Sequence, residues 1–389
     1  MTHQFSLLPG LKYPLPPLML DANGRTITSA ADWKNHRKLL LERFQTEMYG
    51  PLPLKPNGMK FEILDEFDDA FGGIASCRLV RISFMDDAAP KIDLILYLPN
   101  KRRKVVPVFL VLGFCGNQTL TDDPRIPERM GWNPDNCKVR GSVAKDWMIE
   151  RTLMRGYALA HFCNNDVDED RLDPSVGIRA WEDVQINRTL RTADRGSIGS
   201  WAWGIHRCVD YLLTDAAFEA KRIAVMGHSR NGKAALLAGA MDERIGLVIS
   251  HQSGCGGAAP SRGDSGEQTL DINTRFPHWF NKKFKTYSDA PKSMPLDQHQ
   301  LIACVAPRPI LLSNAVGDAW ANPTGQFSCL QAAAPAWTVL GKTDLDVQTQ
   351  VVAGRLTQGR LGTYLRQGKH AITADDWAAF LDYCDRWIK

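Results

Sequence analysis

The chain has 389 residues, of which 44% are hydrophobic, and its 47 basic and 43 acidic side chains leave a formal net charge of +4. A chain of this length and composition can bury a large core, so we expect a folded globular protein. The small net charge, and the lack of a basic run interleaved with aromatic residues, argue against nucleic acid as a partner.

No window of the sequence has the roughly 18 continuous apolar residues of a membrane-spanning helix, so we expect no integral membrane protein. The N-terminal residues lack the basic start, apolar run and cleavage site of a secretory signal peptide. The nine cysteines are scattered without the CxxC spacing of a zinc site or a redox dithiol. We interpret them as mostly small core residues, and their odd number leaves at least one thiol unpaired.

Apolar periodicity predicts a helix near residues 31–48 and then strands that begin at Cys77, Lys91 and Val106. The first 70 or so residues are rich in proline and glycine, and we interpret residues 1–70 as an N-terminal cap segment packed on the main domain. The run from Val106, VPVFLVLGF, is almost continuously apolar, as expected for a strand buried on both faces.

From there helices and strands alternate to the end of the chain. Predicted helices lie near 143–155, 198–214, 232–241 and 373–387, and predicted strands begin at Tyr157, Arg222, Gly246 and Arg308. Three long segments interrupt the alternation, residues 115–141, 163–196 and 252–297. The pattern predicts an α/β fold, a three-layer sandwich with a mainly parallel sheet, as one domain over residues 1–389. Insertions at strand ends are where such folds build their sites.

A serine lies between a predicted strand and the helix that follows it, in the string GHSRNGK over residues 227–233. A side chain at such a sharp turn is pushed clear of the sheet, which exposes the Ser229 hydroxyl for nucleophilic attack. Asn231 stands where the common nucleophile elbow has its second glycine, so the pattern is the less specific G-x-S-x-x-G. The alternative interpretation is an ordinary turn in which Ser229 caps the helix.

A serine nucleophile needs a histidine that takes its proton and a carboxylate that orients the histidine. In the α/β-hydrolase fold the chain order is serine, acid, histidine. Asp318 follows the strand predicted at Arg308, and His370 lies between the last apolar region and the final helix. The order therefore predicts a serine hydrolase of the α/β-hydrolase fold with a triad of Ser229, Asp318 and His370.

Other histidines compete for the role of general base. His228 adjoins the serine, but we expect its side chain to point away at the turn. Three more precede the acid in the chain, which is the wrong order, and could instead line the cleft: His251, His278 and His299.

Further strings accompany the serine motif, and their joint occurrence is far more specific than an elbow. They are SGCGGAA (253–259), FPHWF (276–280), DQH (297–299), APRP (306–309), DAWANP (318–323) and GKH (368–370). On these strings the sequence from about Val106 onward resembles the glucuronoyl esterases, the fifteenth carbohydrate esterase family, and in particular its bacterial members.

The resemblance implies hydrolysis of the ester between 4-O-methyl-glucuronic acid of xylan and a lignin alcohol, without a metal or organic cofactor. It implies that Arg230 helps to form the oxyanion hole and that Lys233, Glu267 and Trp320 bind the sugar. A guanidinium beside the nucleophile can donate hydrogen bonds to an oxyanion and oppose its charge. The alternative for Arg230 is a surface arginine at a helix start.

The resemblance also implies a protein secreted or exported to the periplasm, although the lack of a signal peptide leaves a cytoplasmic location open. We expect a monomer whose partner is glucuronoxylan or a lignin–carbohydrate ester, rather than nucleic acid or a membrane.

The chain departs from the family pattern at one catalytic position. Fungal members have a glutamate immediately before the serine of the SGxGG string, whereas this chain has Gln252. A neutral amide cannot stabilise an imidazolium as a carboxylate does, so we expect Asp318 alone to serve as the acid. Two further positions that are often acidic in the family are Asn322 and Gln326 here, which leaves the substrate preference open.

Two other functions stay open at this point. An acetylxylan or related carbohydrate esterase would use the same triad on a smaller acyl group. A noncatalytic glycan-binding protein on a hydrolase scaffold would account for the neutral residue at position 252.

Overall fold

The computed structural model describes residues 8–84, 89–129, 134, 137–185, 194–346 and 351–389. A mixed sheet of nine strands forms the middle layer of these residues. The strands are β1 (Lys60–Asp69), β2 (Ala75–Ser83), β3 (Lys91–Pro99), β4 (Val108–Gly113), β5 (Ala158–Cys163), β6 (Ile223–His228), β7 (Leu247–His251), β8 (Ile310–Ala315) and β9 (Leu361–Arg366).

The spatial order of the strands is β1-β2-β3-β5-β4-β6-β7-β8-β9. The three pairs from β1 to β5 are antiparallel, whereas the five pairs from β5 to β9 are parallel. The mainly parallel α/β sheet that the alternating pattern predicts is therefore confirmed.

The helices of the described residues lie between and around these strands. They are α1 (Ala30–Phe44), α2 (Ala70–Gly73), α3 (Ala144–Trp147), α4 (Ile149–Met154), α5 (Asn164–Val167), α6 (Ile178–Gln185), α7 (Ser197–Leu212), α8 (Arg230–Met241), α9 (Thr269–Arg275), α10 (Lys282–Lys285), α11 (Gln298–Ala303), α12 (Pro323–Ala333), α13 (Pro335–Val339) and α14 (Ala374–Trp387).

Two apolar clusters lie on opposite faces of the sheet. On β4, Leu110 and Leu112 join the cluster that contains residues of α7 and α8, whereas Phe109 and Val111 join the cluster that contains residues of α14. Successive side chains of a strand point to opposite faces, so a strand that feeds two cores must be apolar throughout. This explains the continuous run at VPVFLVLGF.

The structure differs from the sequence expectations at several elements. Residues 60–69, which the sequence analysis places in the cap segment, form the edge strand β1, and their KFEILDEFDD sequence leaves most side chains exposed. The helix expected near 31–48 ends at Phe44 and continues as a wider turn over Gln45–Tyr49. The helix expected near 143–155 is split into α3 and α4, because the backbone of Met148 is left-handed.

Two cysteines form a disulfide that the sequence analysis did not predict. Cys115 and Cys137 are bonded across the first long insertion, and their spacing matches no motif. The other seven cysteines are buried, as expected for small core residues.

No helix of the described residues is long and apolar enough to cross a bilayer. The signal-peptide expectation concerns residues 1–20, of which residues 1–7 lie outside the described ranges, as does Met85 at the end of the strand run from Cys77.

Candidate active site

Four neighbouring parallel strands bring residues to one edge of the sheet. Ser229 directly follows β6 and Gln252 directly follows β7, while Asp318 and His370 follow β8 and β9 after short turns. The carboxyl ends of parallel strands meet at the same edge, which is where open α/β sheets form their binding sites. Residues far apart in the sequence therefore converge here.

The turn at Ser229 is strained. Its φ of 57° and ψ of −126° are uncommon for a residue with a side chain, and its N–H donates to the backbone oxygen of His251 at 2.9 Å. A β-carbon at Gly227 would lie 2.1 Å from the backbone oxygen of Asn231, and one at Gly232 would lie 2.9 Å from the backbone oxygen of Gly227. Both positions require glycine, so Gly232 is the second small residue of this elbow.

The elbow context of Ser229 is confirmed, because it joins β6 directly to α8. The alternative interpretation, in which the serine hydroxyl caps the helix, is wrong. The Ser229 side chain makes no capping hydrogen bond to α8, although the residue occupies the N-cap position. Its hydroxyl is therefore not engaged by the helix backbone.

His370 and Asp318 form a close pair. The Nδ1 atom of His370 lies 2.7 Å from the Oδ2 atom of Asp318, whose side chain is buried, while the imidazole is 41% exposed. Because a carboxylate only accepts, Nδ1 carries the proton and Nε2 is left as the acceptor that a general base needs. The two loops are also joined by the hydrogen bond from the N–H of Gly317 to the oxygen of Gly368, at 2.8 Å.

His228 lies outside the pocket that Ser229 lines, and its ring packs against that of His370. Its ring centroid lies 4.5 Å from that of His370 and 4.9 Å from that of His251. Burial, together with the neighbouring histidines, lowers the pKa of His228 well below its usual value. His228 therefore stays neutral and adds no charge beneath His370.

The three histidines that precede the acid do not line the pocket. The Nε2 atom of His251 lies 3.1 Å from the oxygen of Ala371, and that of His299 lies 2.9 Å from the oxygen of Pro16. His278 contacts a carboxylate behind the pocket wall, at Asp170. Their contacts indicate structural roles.

Arg230 is held by a carboxylate that the sequence analysis missed. A guanidinium nitrogen of Arg230 forms an ion pair with Oδ2 of Asp170. His278 Nε2 and Trp279 Nε1 donate to the other oxygen of Asp170 at 2.8 and 2.7 Å. Burial opposes ionisation of Asp170, but these hydrogen bonds and the Arg230 charge outweigh it and lower its pKa to about 2. Asp170 lies in the insertion 163–196, which was flagged only as a long segment.

Lys233 and Glu267 form a buried ion pair in the pocket. Lys233 Nζ lies 3.2 Å from Oε2 of Glu267, and both side chains are almost fully buried. The same ammonium donates to the backbone oxygens of Ser253, at 2.8 Å, and Cys255. All three of its donors therefore have acceptors within the protein. The contact with Glu267 is the longest of the three hydrogen bonds of this ammonium, and it is the one that a ligand could most easily replace.

Aromatic side chains flank these charges. Phe276 and Trp279 are stacked, with ring centroids 3.8 Å apart and planes 3° from parallel. The guanidinium carbon of Arg230 lies 4.9 Å from the Trp279 ring centroid. Trp320 is 45% exposed and presents its ring toward Arg275, whose guanidinium carbon is 5.3 Å from the ring centroid. A cation over an aromatic face is favourable and fixes the geometry of both groups.

All seven residues predicted to be catalytic or sugar-binding line one pocket of about 310 Å³. Its lining comprises Ser229, Arg230, Lys233, Gln252, Ser253, Gly254, Glu267, Arg275, Phe276, Trp279, Asp318, Trp320, Ala321 and His370. This volume is at the small end of ligand sites and suits a single sugar ring better than an oligosaccharide. The individual roles of these residues stay predictions.

Asn322 and Gln326 lie outside the pocket lining, and their amides serve the fold. The Asn322 side chain caps α12 by accepting from the N–H of Gly325 at 2.8 Å. The Gln326 amide donates to Asn314 Oδ1 at 2.9 Å and to the oxygen of Ala321 at 2.7 Å. Neither contact requires a charge at these positions.

Substitution of Asp170 by asparagine tests whether this carboxylate holds Arg230 in the position needed for catalysis. The variant loses the negative charge, and its amide nitrogen cannot accept from His278 or Trp279. We expect kcat for ester hydrolysis to fall about 10- to 100-fold, because one misplaced oxyanion donor weakens transition-state stabilisation. Steady-state kinetics and thermal unfolding would be measured together.

Asp168→Asn is the matched control, since Asp168 is also buried and pairs with Arg179 at 2.5 Å outside the pocket. It should lower Tm with little change in kcat. Equal kcat for Asp170→Asn and the wild-type enzyme would show that Arg230 does not depend on this carboxylate.

The comparisons with known proteins agree with one another. A family model described as "Glucuronyl esterase, fungi" matches residues 147–341, about half of the chain. Carbohydrate esterase MZ0003, from an unknown prokaryotic organism, is 38% identical over 387 residues, which cover 96% of this chain and 89% of the relative.

Two solved structures are similar over nearly their whole length. A promiscuous CE15 esterase from a marine bacterial metagenome is 38% identical, with a TM-score of 0.89, and covers 97% of this chain and 98% of its own. A glucuronoyl esterase from Solibacter usitatus is 36% identical, with a TM-score of 0.90, and the match covers 96% of this chain and 98% of that structure's chain. The chain therefore belongs to the glucuronoyl esterase family, carbohydrate esterase family 15.

Proposed function

We propose that the chain is a serine esterase that hydrolyses esters of glucuronic acid or its 4-O-methyl ether, including those that join xylan to lignin alcohols. The observation that carries this proposal is the convergence of a strained serine elbow and a His370–Asp318 pair on a pocket the size of one sugar. Membership of the glucuronoyl esterase family supports the same reaction.

The reaction begins when Nε2 of His370 takes the hydroxyl proton of Ser229 and the serine oxygen attacks the ester carbonyl. The negative charge that develops on the carbonyl oxygen is stabilised by Arg230 and by the backbone N–H that follows the nucleophile. His370 then gives the proton to the departing alcohol, which leaves a uronoyl–Ser229 ester. Water activated by the same histidine hydrolyses this intermediate and releases the uronic acid.

The sugar ring is bound by Glu267, Lys233 and Trp320. Glu267 uses only one carboxylate oxygen for Lys233, so the other can accept from a sugar hydroxyl. Lys233 reaches the sugar by exchanging its 3.2 Å contact with Glu267 for a hydroxyl. The half-exposed ring of Trp320 offers a flat apolar face at the pocket mouth.

A broader carbohydrate esterase is the second candidate. One similar solved structure, at 38% identity, is described as that of a promiscuous CE15 esterase, and the triad itself sets no requirement on the acyl group. The noncatalytic alternative loses its main argument, because Asp318 supplies the carboxylate that Gln252 lacks.

We propose export to an oxidising compartment, in keeping with the family. The disulfide between Cys115 and Cys137 supports this location, since such bonds persist mainly outside the reducing cytosol.

Ser229→Ala should abolish turnover of benzyl glucuronate while the fold persists, because it removes only the hydroxyl that forms the covalent bond. The measurement is kcat beside a circular dichroism melt. Retention of more than about a hundredth of the wild-type rate would defeat the assignment, since loss of a triad nucleophile reduces rates by far more.

Asp318→Asn should reduce kcat by roughly 10³ to 10⁴, because the neutral amide no longer fixes the tautomer of His370 or stabilises its charged form. Gln252→Ala serves as the comparison and should lower kcat far less, since position 252 has no charge to lose. The reverse ranking would move the acid away from Asp318, with Glu267 the next candidate.

Glu267→Ala should impair uronate esters more than a simple aryl acetate, because only the uronate ring needs hydrogen-bond partners in this part of the pocket. We would measure kcat/KM on benzyl glucuronate and 4-nitrophenyl acetate in one preparation. A lost bond between a charged group and a hydroxyl is worth about 1.5 to 3 kcal/mol, so the uronate loss should exceed the acetate loss about tenfold or more. Equal losses would place Glu267 in support of the triad or the fold.

A further inference from the structure

The side chain of Gln252 contacts the peptide groups on both sides of His370. Its Nε2 donates to the backbone oxygen of Lys369 at 3.3 Å, and its Oε1 accepts from the backbone N–H of Ala371 at 3.1 Å. The residue is 1% exposed. Gln252 thus connects the end of β7 to the loop that carries the general base.

Gln252 is itself fixed in place. Its backbone has a φ of 47°, in the left-handed region that residues with side chains rarely adopt, and its N–H donates to the oxygen of Ser313 on β8 at 2.8 Å. Such a backbone persists only where the surroundings hold it. The glutamine therefore reaches the His370 loop from a rigid strand end.

Two other side chains also contact the peptide groups beside His370, but neither can accept from the N–H of Ala371 in the way that Gln252 does. Arg366 Nη2 donates to the oxygens of Lys369 and Ala371 at 2.9 and 2.6 Å, and His251 Nε2 lies 3.1 Å from the oxygen of Ala371. Both side chains face carbonyl oxygens, and a guanidinium has only donors. Gln252 provides the acceptor for the N–H of Ala371, the peptide that directly follows the base.

We propose that Gln252 is a positioning residue, whose neutral amide holds the His370 loop so that the imidazole keeps its contact with Asp318. The amide must be neutral because a carboxylate of the same shape has no N–H for the oxygen of Lys369 and would face it with a second oxygen. This inference rests on the proposed function only in taking His370 as the base.

Gln252→Glu tests the proposal, because it keeps the size and the acceptor of the side chain and removes the donor. Gln300→Glu is the matched control. Gln300 is also buried, donates to the oxygen of Pro17 at 3.2 Å and accepts from the N–H of Asp297 at 3.2 Å, outside the pocket. Each variant would be assayed for kcat and KM on 4-nitrophenyl acetate and for Tm.

Small displacements of a catalytic group can lower rates up to a hundredfold. We therefore expect Gln252→Glu to lower kcat at least about tenfold with KM within about twofold, while Gln300→Glu keeps the wild-type kcat even if its Tm falls. A kcat for Gln252→Glu that equals or exceeds that of the wild-type enzyme would overturn the proposal. The acetate substrate keeps this result independent of whether the natural acyl group is a uronate.

A second measurement does not require turnover. The proton shared by His370 Nδ1 and Asp318 should give a far-downfield proton NMR resonance in the wild-type enzyme. We expect this resonance to broaden or shift in Gln252→Glu and to stay unchanged in Gln300→Glu. An unchanged resonance in both variants would show that Gln252 does not position the base.

Discussion

The strained turn between β6 and α8 is the constraint on which the site depends. The turn has a positive φ at Ser229, which it places at the edge of the sheet. It can close only because positions 227 and 232 are glycines, since a β-carbon at either position would clash with the backbone. Strain of this kind persists only where packing over-determines it. Here β6 lies in the interior of the sheet, and hydrogen bonds join the turn to the ends of the two neighbouring strands. The side-chain amide of Asn231 donates to the backbone oxygen of Leu112 on β4, and the N–H of Ser229 donates to that of His251 on β7.

Charge around the serine is balanced in pairs. Asp170 neutralises Arg230 and Glu267 neutralises Lys233, whereas Asp318 accepts a hydrogen bond from Nδ1 of His370. Isolated buried charges are costly, so these two carboxylates offset the cost of placing the Arg230 and Lys233 charges in a largely buried site. His228, whose ring packs against that of His370, stays neutral because burial lowers its pKa.

The sequence was sufficient to predict the parallel sheet, the elbow and the meeting of His370 with Asp318, because strand–helix alternation and chain order are local or sequential signals. Asp170 was missed because its importance comes from contacts with Arg230, His278 and Trp279, which no spacing encodes. The edge strand β1 was missed because most of its side chains are exposed, so its sequence lacks the alternation of apolar and polar residues by which a strand is recognised. The sequence showed that position 252 lacks a charge, but only the structure shows that its amide bonds the peptides beside His370.

The proposed reaction requires a covalent uronoyl ester on Ser229, and trapping that ester tests the mechanism most directly. A glucuronate ester with a good leaving group, such as the 4-nitrophenyl ester, should make acylation faster than deacylation. Wild-type enzyme would be mixed with this ester, quenched within its first turnovers, digested and analysed by mass spectrometry. We expect a burst of nitrophenol and a uronoyl adduct on the peptide that contains Ser229. Turnover with an adduct on another residue, or with no burst and no adduct, would contradict the account.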